Sequence, residues 1–161
     1  MKQTGMTLIE VMIVVLLIGL LSLAASPFTG AWISGSDVSK TLSALEQAVG
    51  SAKSAALRNE AGVLGDVTAS ALCLNDSKLQ LVTAVAGSSA VDCTAVSPAA
   101  VLWSTAIPES VDIKLGNASW TCSCFTNKGL LSSTAANCTA CGANLTFTVT
   151  SGAESETLSL Y

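Results

Sequence analysis

The chain has 161 residues, half of them hydrophobic and 11% charged, with a net charge of −4, six cysteines and no histidine. That length builds one modest domain beyond any terminal segment. The acidic balance removes a general attraction for phosphate backbones, and the lack of histidine removes the commonest general acid–base group.

The first predicted element is apolar. From Met6 to Ala25 the only ionisable side chain is Glu10. As a helix this run spans about 30 Å, the thickness of a bilayer's hydrocarbon core. A charge at the centre of such a segment costs about 2.5–3.5 kcal/mol, less near an interface, so Glu10 calls for a partner. Lys2 left in the cytoplasm places the rest of the chain outside. An ordinary secretory signal is the alternative, with Lys2 as its charged region and Ser22-Leu23-Ala24 as its cleavage site. Glu10 speaks against it, since an acid in the apolar region serves no export purpose.

Pro27 lacks an amide hydrogen and clashes with the carbonyl four residues back, near Leu23, which predicts a kink or a local break. The plainer alternative is that Pro27 ends a membrane helix. Beyond it, apolar residues recur at Val38, Leu42, Leu45, Val49, Ala52 and Ala56, one stripe of a helix. Ser36 or Asp37 offers an N-cap if the helix restarts, and the helix should stop between Asn59 and Gly62.

After Gly62 the pattern alternates. Ala71 to Leu74 and Leu79 to Val82 flank Asn75-Asp76-Ser77, a hairpin signal. Val111, Ile113 and Leu115 predict a half-buried strand; so do Trp120, Cys122 and Cys124, then Leu145, Phe147 and Val149, and finally Leu158-Ser159-Leu160. Residues 84–100 read as irregular, and 87–89 and 132–137 as loops. Helix first and strands after is an α+β order: a long N-terminal helix packed on an antiparallel sheet.

All six cysteines follow residue 70, on the side of the membrane where disulfides form. Cys122-x-Cys124 and Cys138-x-x-Cys141 have spacing that could also hold zinc, but the exported location favours disulfides, and no metal or other cofactor is expected. Cys122 and Cys124 point to one strand face, which makes a bond between them poor. Six cysteines allow 15 pairings; the one expected here is a nested hairpin, Cys124 with Cys138 and Cys122 with Cys141, leaving Cys73 with Cys93.

The opening residues carry a resemblance. Gly5, Met6, then Thr7-Leu8-Ile9-Glu10, an uninterrupted apolar run and Pro27 are together similar to the N-terminus of type IV pilins and type II secretion pseudopilins, with Met6 where phenylalanine is usual. The resemblance implies cleavage by a prepilin peptidase between Gly5 and Met6 and methylation of the new Met6 amine. It implies that Glu10 of one subunit meets the Met6 amine of another during filament assembly. It also implies one long helix, bent rather than ended at Pro27. The parts are then a leader at 1–5, an apolar membrane and filament-core helix at 6–33, its amphipathic continuation at 34–61, and a disulfide-containing β-rich head at 62–161. Ser43 to Ala48, Lys53 to Asn59, and Phe125-Thr126-Asn127-Lys128-Gly129 resemble the GspH/FimT group of minor pilins and pseudopilins.

The resemblance implies a structural minor pilin, not an enzyme, priming a type IV pilus or sitting at its tip. The alternatives are a type II secretion minor pseudopilin and, further off, a DNA-uptake or adhesive pilin. The implied partners are other pilins through the N-terminal helix, the prepilin peptidase, the inner-membrane assembly platform and, before assembly, inner-membrane lipid. The precursor would cross the bacterial inner membrane once, head in the periplasm, and end in an extracellular or periplasmic filament. The tail from Gly152 to Tyr161 carries two acids and no base, which argues against nucleic acid as a partner.

Overall fold

The computed structural model describes residues 7–85, 91–132, 138, 141 and 145–160, and for residues 24–28 the backbone alone. A single helix, α1 (Leu8–Arg58), runs for 51 residues, about 75 Å at about 1.5 Å per residue. It continues through Pro27, so the local break is not found and neither Ser36 nor Asp37 starts a second helix. A proline removes one backbone bond of the ladder, and the helix runs on through it even though Phe28, Thr29 and Gly30 after it are weak helix formers.

The helix ends where polar chemistry offers its backbone other partners. Asn59 takes a left-handed conformation at φ 44°, and its N–H donates to the Ala55 carbonyl. Asparagine tolerates that region better than most side chains. Its side-chain amide then pairs with Val63, accepting from the Val63 N–H at 2.8 Å and donating to the Val63 carbonyl at 2.7 Å. Asn127, from the far side of the head, donates to the same carbonyl at 2.9 Å.

Two four-stranded antiparallel sheets follow. The first has the order β3 (Val101–Ala106), β2 (Lys78–Thr83), β1 (Thr68–Asn75), β6 (Cys122–Thr126). The second has the order β5 (Ala118–Ser119), β4 (Val111–Leu115), β7 (Leu145–Ser151), β8 (Glu154–Leu160). The predicted β1–β2 hairpin is present, with Asn75 opposite Lys78 and both turn residues, Asp76 and Ser77, at positive φ. Such a two-residue turn matches the right-handed twist of the strands it joins.

Strand β3 was not expected. Its alternation is carried by Val101, Trp103 and Thr105 on one side, and it follows a short 3₁₀ turn at Pro98–Ala100 that ends the small-residue stretch. Strand β8 begins at Glu154, earlier than the Leu158-Ser159-Leu160 signal. Its first residues are solvent-exposed polar groups at a sheet edge, which carry no apolar pattern to read. The predicted loop at 87–89, and residues 133–137 of that predicted at 132–137, lie outside the described residues.

The second half of α1 supplies the floor of the core. Val38, Leu45, Val49, Ala52 and Ala56 are buried, and Leu42 packs against them partly exposed. The helix packs on β1, β2 and β6 of the first sheet and on β4, β7 and β8 of the second. Alanines at 48, 52, 55 and 56 let the strands approach closely enough for the buried Ser70 hydroxyl to donate to the Ala52 carbonyl at 2.8 Å. Trp120 and Phe147 meet edge to face at 5.2 Å between ring centres, and the Trp120 indole N–H donates to Ser123 Oγ at 2.9 Å.

Here one expectation is corrected. Trp120 does not share a face with Cys122 and Cys124: it packs in the helix-side core, while the two cysteines join a second cluster with Ala71, Cys73, Val82 and Cys93. Trp120 precedes β6, so strand alternation does not extend to it. β6 itself is buried along its whole length rather than on one face, because core packs on one side and cross-linked loops on the other.

Candidate functional site

Thr7 stands at the N-cap position of α1, and its carbonyl accepts from the N–H groups of Glu10 and Val11 at 3.1 and 3.3 Å. Glu10 therefore lies in the first turn, where the helix dipole favours an anion. Its carboxylate accepts a long hydrogen bond from the Thr7 hydroxyl at 3.5 Å and is otherwise exposed, in no ion pair among the described residues. Gly5 and Met6, the expected cleavage and methylation residues, lie outside the described residues, and of Pro27 only the helical backbone is described.

What surrounds Glu10 is apolar on every side of the helix. Leu8, Ile9, Met12, Ile13, Val15, Leu17, Ile18 and Leu21 all keep more than half of their surface exposed. These positions cover the full circumference, unlike the single stripe of the second half. No helix is long and apolar enough to cross a membrane among the described residues. The fully described part of the apolar run stops at Leu23, where the residues known by backbone alone begin.

Trp32 escapes any periodicity argument, because it lies past the apolar run and before the amphipathic stripe. It is 77% exposed, with Ile33 beside it at 53%. Two residues on from Trp32 the head begins: Ser34 sits against Gly152 of the β7–β8 turn, so close that a β-carbon added at Gly152 would lie 3.3 Å from the Ser34 hydroxyl. Trp32, Gly35 and Ser39 share a groove with Glu154 and Glu156 of β8.

The head is held by three disulfides, Cys73–Cys93, Cys122–Cys138 and Cys124–Cys141, with Cα separations of 5.4, 5.8 and 5.2 Å. The first matches the expected pairing. The other two are crossed relative to the nested arrangement expected. The nested pairing assumed that the chain after β6 returns antiparallel at the level of Cys138 and Cys141. That return is made earlier: Leu131 bridges back to Phe125, and the Ser132 N–H donates to the Cys124 carbonyl at 2.9 Å. The order of the two bridges is then that of a segment running the same way as β6. The sulfurs of Cys122, Cys138 and Cys141 do lie within 4.8 Å of one another, the clustering that zinc would use. Each is already bonded to another sulfur, which leaves no thiolate to ligate a metal.

The Phe125-to-Gly129 stretch ends β6 in a turn. Phe125 is fully buried, the Gly129 N–H donates to the Thr126 carbonyl at 2.8 Å, and Gly129 has φ 71°, which glycine adopts without steric cost. Beside it, a cavity of about 310 Å³ opens between Lys53, Leu130, Leu131, Leu145 and Leu160, with the Thr146 and Ser159 hydroxyls 3.3 Å apart on its wall. Its lining is mostly aliphatic and holds no pair of acid and base.

The family described as the prokaryotic N-terminal methylation motif matches residues 1–26, the stretch that holds Gly5, Met6 and Glu10. That match supports a type IV pilin-like protein, and a helix packed on antiparallel sheets with disulfides is the pilin-like α+β fold. No curated protein and no solved structure matches the chain.

Proposed function

We propose that this pilin-like chain is a structural, non-enzymatic minor subunit of a type IV pilus, entering the filament after prepilin-peptidase cleavage following Gly5. The observation that carries the reading is the state of Glu10: the one acid in residues 8–23 of α1, a stretch apolar all round, with no partner among the described residues of the head. Such a helix is satisfied in lipid or in a bundle of similar helices, not in water.

Cleavage would turn Met6 into a new N-terminus with a pKa of about 7.7–8, cationic at neutral pH and methylated in keeping with the motif at residues 1–26. Opposed to Glu10 of a neighbouring subunit in a low-dielectric bundle, that amine fixes axial register. The apolar side chains around Glu10 supply packing without direction. A lone buried carboxylate is costly and a paired one is tolerated, so the pairing explains why an acid persists in this segment. The precursor is read as an inner-membrane protein with its head outside. Disulfides form in the periplasm and outside the cell alike; the pilus is read ahead of a type II secretion pseudopilin because three cross-links stiffen a head that would stand exposed outside the cell.

The test is Glu10→Ala in the full-length chain. Processing should proceed, because the mature chain still begins at Met6, while incorporation into filaments is lost. Normal incorporation would sink the register role. Gly5→Ala should instead leave the precursor at its unprocessed electrophoretic size.

A further inference from the structure

The unbroken course of α1 allows a distance to be read along it. From Glu10 to Trp32 the rise is about 33 Å at about 1.5 Å per residue. That is close to the hydrocarbon thickness of a bilayer, about 30 Å. The run between them carries no ionisable side chain. The two residues that bound it are those whose side chains fit a membrane surface: a carboxylate that can reach headgroups, and an indole with an apolar body and a polar N–H.

Trp32 is poorly explained by the head. It is 77% exposed, whereas Trp120 is buried at 2% and Trp103 is half-buried in β3. Ile33 is exposed beside it, and burial begins only with Val38. The head's nearest part, the turn between β7 and β8, reaches α1 at Ser34, just past Trp32. A membrane whose surface lies at Trp32 would therefore meet the head without submerging it. Glu154 and Glu156 share the groove with Trp32 and would stay on the water side.

We propose that Trp32 is the head-side interfacial anchor of the unassembled chain, seating its indole among the lipid headgroups and fixing how deep α1 sits in the bilayer. This rests on the reading of the precursor as a membrane-inserted pilin. The occupant of the exposed surface around Trp32 is lipid rather than a second protein, because residues 8–23 of the run leading to it are exposed on all sides and the length from Glu10 to Trp32 matches a bilayer.

The experiment uses the full-length chain in vesicles of a zwitterionic phosphatidylcholine brominated either near the headgroup end or near the methyl end of its acyl chains. Tryptophan emission is read after flotation. Shallow bromines should quench more than deep ones, and Trp32→Phe should lose that lipid-dependent quenching while the circular dichroism of the head stays the same. Trp103 and Trp120, inside the head, then account for the emission that no bromine reaches. If the protein floats but quenching is equal at both depths, or survives in Trp32→Phe, the anchor role is wrong and the membrane reading stands. If the protein does not float, the membrane reading fails and the anchor falls with it. Should Trp32→Phe instead abolish filament incorporation with no quenching in the native chain, Trp32 belongs to a subunit contact and the proposal is overturned.

Discussion

The two halves of α1 share one backbone and meet opposite surroundings. Leu20 and Leu45 are the same residue on the same helix, yet one is 58% exposed and the other fully buried. Burying a leucine is worth about 1.5–3 kcal/mol, so the first half leaves a large driving force unspent within the single chain. The difference lies in circumference. In the second half apolar residues occupy one stripe, which two sheets can cover. In the first half they surround the helix, and no single face of a head could satisfy them. The helix is thus covered by its own head at one end and left uncovered at the other, where the proposed lipid or sibling helices would pack.

The largest effects should separate these halves. Phe147 is fully buried against Trp120 and central to the core. Phe147→Ala should lower the unfolding free energy of the head by about 3–5 kcal/mol, measured as a shift in denaturant midpoint. Leu20→Ala should move the same midpoint by less than about 0.5 kcal/mol. Comparable losses at both positions would mean that the first half packs on its own head after all.

The disulfides come next. The Cys73–Cys93 bridge joins β1 to the loop before the 3₁₀ turn across 20 residues. Replacing both with serine should cost about 3 kcal/mol by the chain-entropy relation, again with no change in how the first half of α1 behaves in lipid. Peptide mapping under non-reducing conditions should recover Cys122 with Cys138 and Cys124 with Cys141. Recovery of the nested pairs would contradict the path of the chain after β6.

Much of this architecture is legible in the residues, and the failures have physical causes. The amphipathic stripe from Val38 to Ala56 is readable because a helix against a sheet needs only one apolar face. The β1–β2 hairpin is readable because Asp76 and Ser77 at positive φ are turn chemistry on two consecutive residues. Strand β3 is hidden behind a small-residue stretch whose alanines suit any backbone. Trp120 is misplaced by alternation because it precedes β6, with its ring turned to Phe147 and its N–H to Ser123. The crossed bridges depend on where the chain reverses, and that is decided by the Phe125–Leu131 bridge rather than by cysteine spacing. Around Glu10 the motif is plain in sequence, while Trp32 carries no periodic signal and stands out only once its exposure is known.

A smaller effect tests the seam between the second half of α1 and the first sheet. The Ser70 hydroxyl donates to the Ala52 carbonyl with both groups buried. Ser70→Ala should cost about 1 kcal/mol, the usual net worth of such a bond, because the carbonyl stays within the helical ladder. Ser70→Val, which adds bulk where Ala52 and Ala56 approach, should cost more than Ser70→Ala. The reverse ranking would mean that the close approach of alanines does not set this seam.

The smallest stability effect makes the sharpest comparison, because it sets two exposed acids side by side. Asp112 pairs with Lys114 at 3.3 Å on β4, with both side chains about half exposed. Asp112→Ala should change head stability by under about 0.5 kcal/mol, since water screens such pairs, and should leave filament incorporation untouched. Glu10→Ala should also leave the denaturant midpoint of the head unchanged, because among the described residues the carboxylate touches only Thr7. Yet it should remove incorporation, because in the proposed bundle that carboxylate would no longer be in water. Two acids that are alike in the isolated chain would then differ by the whole of the assembly phenotype. If both variants assemble normally, the acid at position 10 is as dispensable as a surface residue, and the first half of the helix is held in its filament by packing alone.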